Sequence, residues 1–425
     1  MVPAVLRLAC LSAVLAGCAV LPAVEAGPLD APAPMAAGAE DAGTEDAQGE
    51  ASEDAASGPR AWLEEQGLTL EIEVLADAAT VVGGGVRQRS TSQALLDVGL
   101  FADLELLAGW EGASMWAEWY TRPGRNLYDD VGDWQGTTWI DTPHGHELYQ
   151  FWLEAWAVPD ALRVKLGKQE GFDEFAVVES AAEFLNNGPA YAPTLELMPT
   201  YPDSAYGAAL FAYPCEDGWL SAGVFDGSAA QGEATGKQGA GNLFGGPSDL
   251  FLVAEAGRSW MRAEDAGAGR GLMGAYKHTG NLDRFDGGRQ DDAWGWYAVL
   301  EQELWLENPD DAEDAQGLIA FAQVSVADED VLSVAGHQAA GVSWTGPFEG
   351  RDEDILGLAV SRVVFSDEPA AGFDDHGETV IETFYRWQVL SWLAIKPDLQ
   401  LVRDPAGDSA IEDAFVATLR FEASF

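Results

Sequence analysis

The last eleven residues of the chain alternate strictly between two kinds of side chain. The odd positions are apolar: Phe415, Ala417, Leu419, Phe421, Ala423 and Phe425. The even positions are nearly all polar: Val416, Thr418, Arg420, Glu422 and Ser424. A period of two places successive side chains on opposite faces of a β-strand, one face against apolar material and the other in water. Because a tilted strand of about eleven residues crosses a bilayer, the segment restricts the chain to a half-exposed sheet or a membrane β-barrel.

The same alternation recurs along the chain. Near its start, the apolar positions Leu68, Leu70, Ile72 and Val74 alternate with Thr69, Glu71 and Glu73. Further on, Leu162, Val164 and Leu166 alternate with Arg163 and Lys165. Within 379–393, Ile381, Tyr385, Trp387, Val389 and Leu393 oppose Glu382, Arg386 and Gln388, although Phe384 and Leu390 fall on the polar face. Stretches rich in Gly, Asp and Asn separate these segments and predict turns and loops.

Residues 59–425 are therefore predicted to form one all-β domain, an antiparallel transmembrane β-barrel of about 16 strands. The tryptophans agree with this prediction, since they are spread along the whole chain and indole rings favour the lipid–water boundary. A soluble β-protein with aromatic side chains in its core is the alternative. The residue spacing within 92–108 also indicates one short helix at a strand connection.

Composition excludes several other classes. At 47% hydrophobic residues, the chain is too apolar for a disordered acidic protein. A net charge of −49 argues against a nucleic-acid-binding protein, which needs a basic face for phosphates. Three cysteines exclude a disulfide scaffold and most cysteine zinc sites. We also find no pattern that predicts catalytic residues, a metal site or a cofactor.

The N-terminal segment is predicted to be an export signal rather than a part of the folded domain. Arg7 precedes an apolar stretch over 8–17, as in a secretory signal peptide. Small residues at Val24 and Ala26 predict cleavage after Ala26, so 1–26 is the predicted signal. The alternative is a lipid on Cys18, because 15–18 resembles a lipobox. Residues 27–58 contain no aromatic residue and eight acidic residues, and predict a disordered acidic linker.

Five groups of segments, in order along the chain, resemble the carbohydrate-selective porin family (OprB-like). They lie at 103–112; at 166–175 with 184–187; at 201–202 and 205–208 with 214 and 223–227; at 341–359; and at 382–388 with 397–400 and 405. Together they span most of the predicted barrel, and a C-terminal Phe on the apolar face is similar to the terminal signal of bacterial outer-membrane barrels. The resemblance implies an outer-membrane porin, not an enzyme, through which monosaccharides and similar small solutes diffuse passively.

A porin needs a wet lumen whose polar groups replace the water contacts of the solute. Carboxylates accept hydrogen bonds from sugar hydroxyls, whereas Arg and Lys donate to them. The candidates for lumen-lining, sugar-binding residues are Arg163, Lys165, Glu382, Arg386 and Gln388. For each of them, an ion pair that stiffens the barrel wall is the alternative.

The net charge of the chain is more negative than the resemblance to a sugar porin implies. Acidic groups in a lumen attract cations and repel anions, so we expect a cation-preferring pore. An acidic exterior without a role in selectivity is the alternative. The open alternatives for function are a general, non-selective porin and a lipid-anchored or barrel-type surface protein without transport. The expected partners are outer-membrane lipid and small sugars, with no nucleic acid, and the expected assembly is a monomer or a homotrimer.

Overall fold

A computed structural model describes residues 58–228, 249–261, 267–309 and 314–425. Sixteen of its strands form one closed antiparallel barrel. In chain order they are β1 (Leu68–Gly85), β2 (Ser90–Asp103), β3 (Ala113–Arg122), β4 (Gly145–Val158), β5 (Leu162–Gln169), β6 (Ala205–Cys215), β7 (Gly218–Asp226), β8 (Leu250–Trp260), β9 (Gly269–His278), β12 (Ala293–Leu306), β13 (Gly317–Ala327), β14 (Val334–Thr345), β15 (Ile355–Phe365), β16 (Gly377–Leu390), β17 (Leu393–Arg403) and β18 (Glu412–Ser424). The remaining two, β10 (Leu282–Asp283) and β11 (Arg289–Gln290), pair as a small ribbon in the loop between β9 and β12.

The barrel closes where the first strand meets the last. Val74 of β1 pairs with Ala423 of β18, and β1 also pairs with β2 on its other side. All neighbouring strands are antiparallel and their number is even. The start of β1 and the end of β18 therefore lie at the same end of the barrel. The predicted all-β antiparallel barrel of about 16 strands is confirmed.

The period of two sorts the side chains between the two faces of this wall. On β18, Phe415, Leu419 and Phe421 are exposed on the outer face, whereas Val416 and Arg420 are buried on the inner face. The same division holds for Ile381 and Glu382 of β16 and for Leu166 and Lys165 of β5, whereas residues 68–74 of β1 are half-buried on both faces. An apolar outer face and a mixed inner face are what a strand between lipid and a lumen requires.

Helices are short; the first precedes β1 and the others lie between strands. They are α1 (Pro59–Glu65), α2 (Leu104–Ala108), α3 (Tyr128–Val131) and α4 (Asn187–Ala190). Among the described residues, none of the helices has the length and apolar character needed to cross a bilayer. The helix expected within 92–108 is confined to α2, because 92–103 belong to β2.

Two long connections fold into the barrel. We call 123–144 the first lumen loop and 170–204 the second lumen loop. Phe172, Phe175 and Phe184 of the second loop are buried against inward aromatic residues of the wall, including Phe384. This contact explains why Phe384 interrupts the polar face of β16: it faces inward, but it packs on Phe184 at 5.0 Å between ring centroids rather than facing water.

The predicted signal (1–26) and linker (27–58) lie outside the described residues except for Gly58, and so does Cys18. Their processing stays a prediction.

Candidate functional site

Carboxylates of the barrel wall hold the second lumen loop in place. Glu255 of β8 accepts a hydrogen bond from the backbone N–H of Ala176 (2.9 Å), and Glu301 of β12 accepts one from Ser180 (2.7 Å). These carboxylates are buried. Peptide groups of a loop that enters a barrel have no strand partner, and an unsatisfied buried amide is costly. The wall therefore supplies acceptors where the loop needs them.

A third carboxylate, Glu378 of β16, plays the same part for the first lumen loop. It accepts hydrogen bonds from the backbone N–H groups of Trp134 (2.7 Å), Gln135 (3.0 Å) and Ala406 (2.8 Å). The two lumen loops are also joined directly, since the amide of Asn186 donates to the carbonyl of Gly136 at 2.8 Å. The two loops and the wall thus form one connected interior.

The second lumen loop divides the inner wall into two sectors. Inward residues of the wall from β6 to β16 form an apolar cluster with this loop; examples are Phe225, Phe251, Tyr297, Phe321 and Phe384. The inward residues of β1 to β3 and β16 to β18 include many charged side chains, and we call the following set the polar sector: Glu71, Glu73, Asp97, Glu118, Arg386, Lys396, Arg420 and Glu422. Glu71, Glu73, Asp97 and Arg386 keep exposed surface. The polar sector is therefore the side of the lumen that can hold water.

Basic groups of the polar sector are all paired with acids. Arg386 contacts Glu422 at 2.8 Å and Glu183 of the second lumen loop at 3.4 Å. Lys396 contacts the same two carboxylates at 2.8 and 2.6 Å. Arg420 forms a buried pair with Asp77 at 2.8 Å. This network fixes long side chains along one wall of the passage.

The five sequence-predicted residues fall into two groups on different strands. Arg163 and Lys165 of β5 are buried and both contact Glu174, at 2.7 and 3.0 Å. Arg163 also contacts Glu154 at 2.7 Å and lies over the ring of Phe211. Both side chains thus lie between the wall and the second lumen loop.

The other three predicted residues lie on β16. Glu382 is buried and accepts hydrogen bonds from the backbone N–H groups of Leu185 (2.6 Å) and Asn186 (3.2 Å). Arg386 donates to the side-chain oxygen of Gln388 at 2.7 Å, and both residues are half-buried. The structure brings Arg386 and Gln388 together in the polar sector, whereas it places Glu382 among the loop-holding carboxylates. Contact of any of the five with sugar stays a prediction.

Sequence reasoning missed an aromatic group on the wall of β1 to β4, which we call the aromatic ledge: Tyr120, Tyr149, Tyr201 and Trp139. Tyr120 and Tyr149 stack at 4.3 Å between ring centroids. Tyr201 contacts both of them, at 5.6 and 5.8 Å, and Trp139 meets Tyr201 edge-on at 5.9 Å. Two of these residues come from lumen loops, so no strand periodicity indicates them.

A buried carboxyl group lies beneath the ledge. Glu170, at the start of the second lumen loop, accepts hydrogen bonds from the hydroxyl of Tyr149, the hydroxyl of Thr200 (2.7 Å) and the N–H of Tyr201 (3.2 Å). Burial, reinforced by the negative charge of Asp173, raises the pKa of Glu170 to about 8. Across the described ranges, no group of three or more His, Cys, Asp or Glu side chains is arranged to hold a metal ion.

Comparison with known proteins agrees with this geometry. The model of the family described as "Carbohydrate-selective porin, OprB family" matches residues 87–425. Porin B of Pseudomonas aeruginosa is 25% identical over 441 residues, covering 87% of this chain and 90% of that protein. The putative porin QuiX of Acinetobacter baylyi is 24% identical over 415 residues, covering 87% and 91%. The high-pH structure of Pseudomonas putida OprB superposes with a TM-score of 0.78 at 21% identity, covering 87% of this chain and 97% of that one.

Proposed function

The chain belongs to the OprB family of carbohydrate-selective porins, and from this premise we propose that small sugars cross its lumen along the polar sector and that the pore prefers cations. The protein is an outer-membrane channel. The match of the family model to residues 87–425 carries this conclusion, together with the closed barrel of sixteen strands. We further propose that the chain has no catalytic activity and acts as a monomer or a homotrimer, which the mass of the detergent-solubilised protein distinguishes.

Passive diffusion requires groups that replace the water of the solute without holding it for long. Arg386 and Gln388 suit this role, because each keeps exposed surface in the lumen and the guanidinium can donate while the amide can also accept. Three of the predicted residues are buried: Arg163, Lys165 and Glu382. We therefore propose that they do not touch sugar and that they shape the passage by holding the second lumen loop in position.

Cation preference follows from the balance of charges in the polar sector. Arg386, Lys396 and Arg420 each have an acidic partner within hydrogen-bonding distance. Glu73 and Asp97 have no ion-pair partner within the part of the chain that the structure describes. Acidic side chains therefore outnumber basic ones in the polar sector, five to three, and an acidic lumen raises the local concentration of cations.

The reversal potential of purified protein in a planar bilayer, under a KCl gradient, tests this proposal. A cation-selective potential is expected, and Glu73→Gln should reduce it. Asp283→Asn is the matched control, since it also removes one acidic charge but lies on an exposed external ribbon. Anion selectivity of the wild-type protein, or an equal effect of both variants, would contradict the proposal.

Titration of the same channels with sugars separates the alternatives. Stepwise conductance that sugar reduces supports a carbohydrate-selective pore. Conductance that sugar leaves unchanged favours a general, non-selective porin. A folded barrel without conductance favours the surface protein without transport.

A further inference from the structure

The aromatic ledge lies in the lumen, where the backbone carbonyl of Tyr149 also accepts a hydrogen bond from the hydroxyl of Ser204 in the second lumen loop. Tyr120 and Tyr149 are buried and form its base. Trp139 and Tyr201 are half-buried, so each keeps part of its ring uncovered. Exposed aromatic surface inside a channel is available to a solute, because no lipid reaches it.

The ledge is held rigidly. The guanidinium of Arg420 lies over the ring of Trp139, 5.4 Å from its centroid, and Arg420 is itself fixed by Asp77. The hydroxyl of Tyr201 lies 3.1 Å from that of Thr142, and the guanidinium of Arg122 lies over the Tyr201 ring at 5.5 Å. Rings held in this way lose little conformational freedom when a ligand binds to them.

The position of the aromatic ledge along the barrel axis follows from the strand residues around it. Arg420, which contacts Trp139, is the cross-strand partner of Asp77 near the middle of β1, and Tyr120 lies near the end of β3 opposite to the chain termini. The ledge therefore runs from that end of the barrel down to the level of the polar sector. A solute that enters from this end meets the ledge before it meets Arg386.

Hydrogen-bonding groups accompany the rings. Asp97 is the cross-strand partner of Tyr120, and Glu118 lies two residues before Tyr120 on the same inward face. Asp173 of the second lumen loop is exposed and accepts a hydrogen bond from the amide of Gln150 at 2.8 Å. Aromatic rings and carboxylates thus lie side by side.

We propose that Trp139 and Tyr201 form a binding platform for sugars in their ring form. A hexopyranose has an apolar face of C–H groups and a rim of hydroxyls. The face suits the aromatic rings, and the rim suits the carboxylates of Asp97 and Asp173. The inference deepens the proposed function and depends on it.

The platform distinguishes ring sugars from acyclic polyols, which a site that recognises only hydroxyl groups would bind alike. An acyclic polyol such as sorbitol carries the same kind of hydroxyls as glucose and is of similar size. It has no rigid C–H face, so it can use the carboxylates but not the rings. The channel therefore selects ring sugars over open-chain polyols.

The test is the reduction of single-channel current by glucose and by sorbitol, with the purified full chain in a planar bilayer. Wild-type channels should be half-blocked at a lower concentration of glucose than of sorbitol. Trp139→Leu keeps an apolar side chain but removes the ring, and should raise the half-blocking glucose concentration about fivefold while leaving that of sorbitol unchanged. Trp119→Ala, which removes an indole from the outer face of β3, is the matched control and should change neither value.

Tyr201→Ala provides a second variant if Trp139→Leu does not yield a folded barrel, which heat-modifiable gel mobility reports. Equal block by glucose and sorbitol in wild-type channels would overturn the platform and leave the porin intact. An unchanged half-blocking concentration of glucose in conducting Trp139→Leu or Tyr201→Ala channels would also overturn the platform. Absence of conductance from folded wild-type protein would instead overturn the proposed function, and the platform with it.

Discussion

The carboxylate of Glu382 accepts a hydrogen bond of 2.6 Å from the backbone N–H of Leu185, which lies 197 positions earlier in the chain. Its other oxygen accepts from Asn186. Glu382→Ala leaves two buried donors without an acceptor, at a cost of about 1 to 3 kcal/mol each. The second lumen loop should then leave its position more often, so single-channel conductance should rise and fluctuate. Glu412→Ala, an exposed acid of β18, is the control, and an unchanged conductance in Glu382→Ala would argue against this role.

The buried pair of Arg420 and Asp77 should be the ion pair most costly to break. Both side chains are almost fully enclosed, so Asp77→Ala leaves a buried charge without its partner and should destabilise the barrel by about 3 to 5 kcal/mol. Arg403→Ala breaks an exposed pair with Asp413 and should cost less than about 1 kcal/mol. Urea titration of the folded gel band measures both. Equal losses would contradict the assignment.

Gly357 has no side chain because the ring of Phe384 occupies that space. A Cβ built at Gly357 would lie 2.1 Å from a ring carbon of Phe384, its cross-strand partner. Gly357→Ala should therefore displace the ring from the cluster around Phe184 and destabilise the barrel by about 1 to 3 kcal/mol. Gly83→Ala meets no atom within 4 Å and should be tolerated. The same urea titration applies, and a stable Gly357→Ala barrel would show that the cluster can rearrange.

Glu170 makes stability depend on pH. Its pKa of about 8 lies above the usual range of a glutamate, so the folded state binds this proton more tightly than the unfolded chain does. The contribution of Glu170 to the free energy of unfolding is complete below the usual glutamate pKa. It is lost as the pH rises towards about 8, and the free energy of unfolding then falls by no more than about 1.4 kcal/mol per pH unit. Glu170→Gln keeps an acceptor and should flatten the profile between these limits. Glu216→Gln, a change in an exposed turn, should leave the pH profile of stability unaltered. Identical profiles for the wild type, Glu170→Gln and Glu216→Gln would contradict the role of Glu170.

The N-terminus of the mature protein distinguishes two kinds of processing. Cleavage after Ala26 predicts a mature chain that begins at Gly27 and carries no lipid. Lipidation predicts a chain that begins at Cys18 with a mass increase from acyl groups. Intact mass of protein purified from the outer membrane separates the two. Cys18→Ser should block maturation in the second case alone.

The wall of the barrel was largely predictable because lipid imposes a period of two on every strand. The pattern of Phe415 to Phe425 placed Arg420 and Glu422 on the inner face, where they lie. Phe384 was the informative exception, since an apolar residue on the polar face signals that something other than water covers that face. The covering loop itself carries no periodic signal.

The interior was less predictable because its contacts join residues far apart in the chain. The amide of Gln400 donates to the carbonyl of Thr137, 263 positions away, and no local pattern specifies such a partner. Glu382 shows the consequence: its inward position could be predicted, but its role in holding Leu185 could not. The aromatic ledge was missed for the same reason, since Trp139 and Tyr201 come from two different loops.

The pairing of β1 with β18 also bears on how the cell makes this protein. β18 is translated last, yet without its 13 residues both β1 and β17 keep a bare edge. Exposed peptide groups are not tolerated in hydrocarbon, so a partly synthesised chain has no stable resting place in the bilayer. Stable insertion of the barrel therefore has to await β18, because only this strand gives β1 and β17 their missing partner.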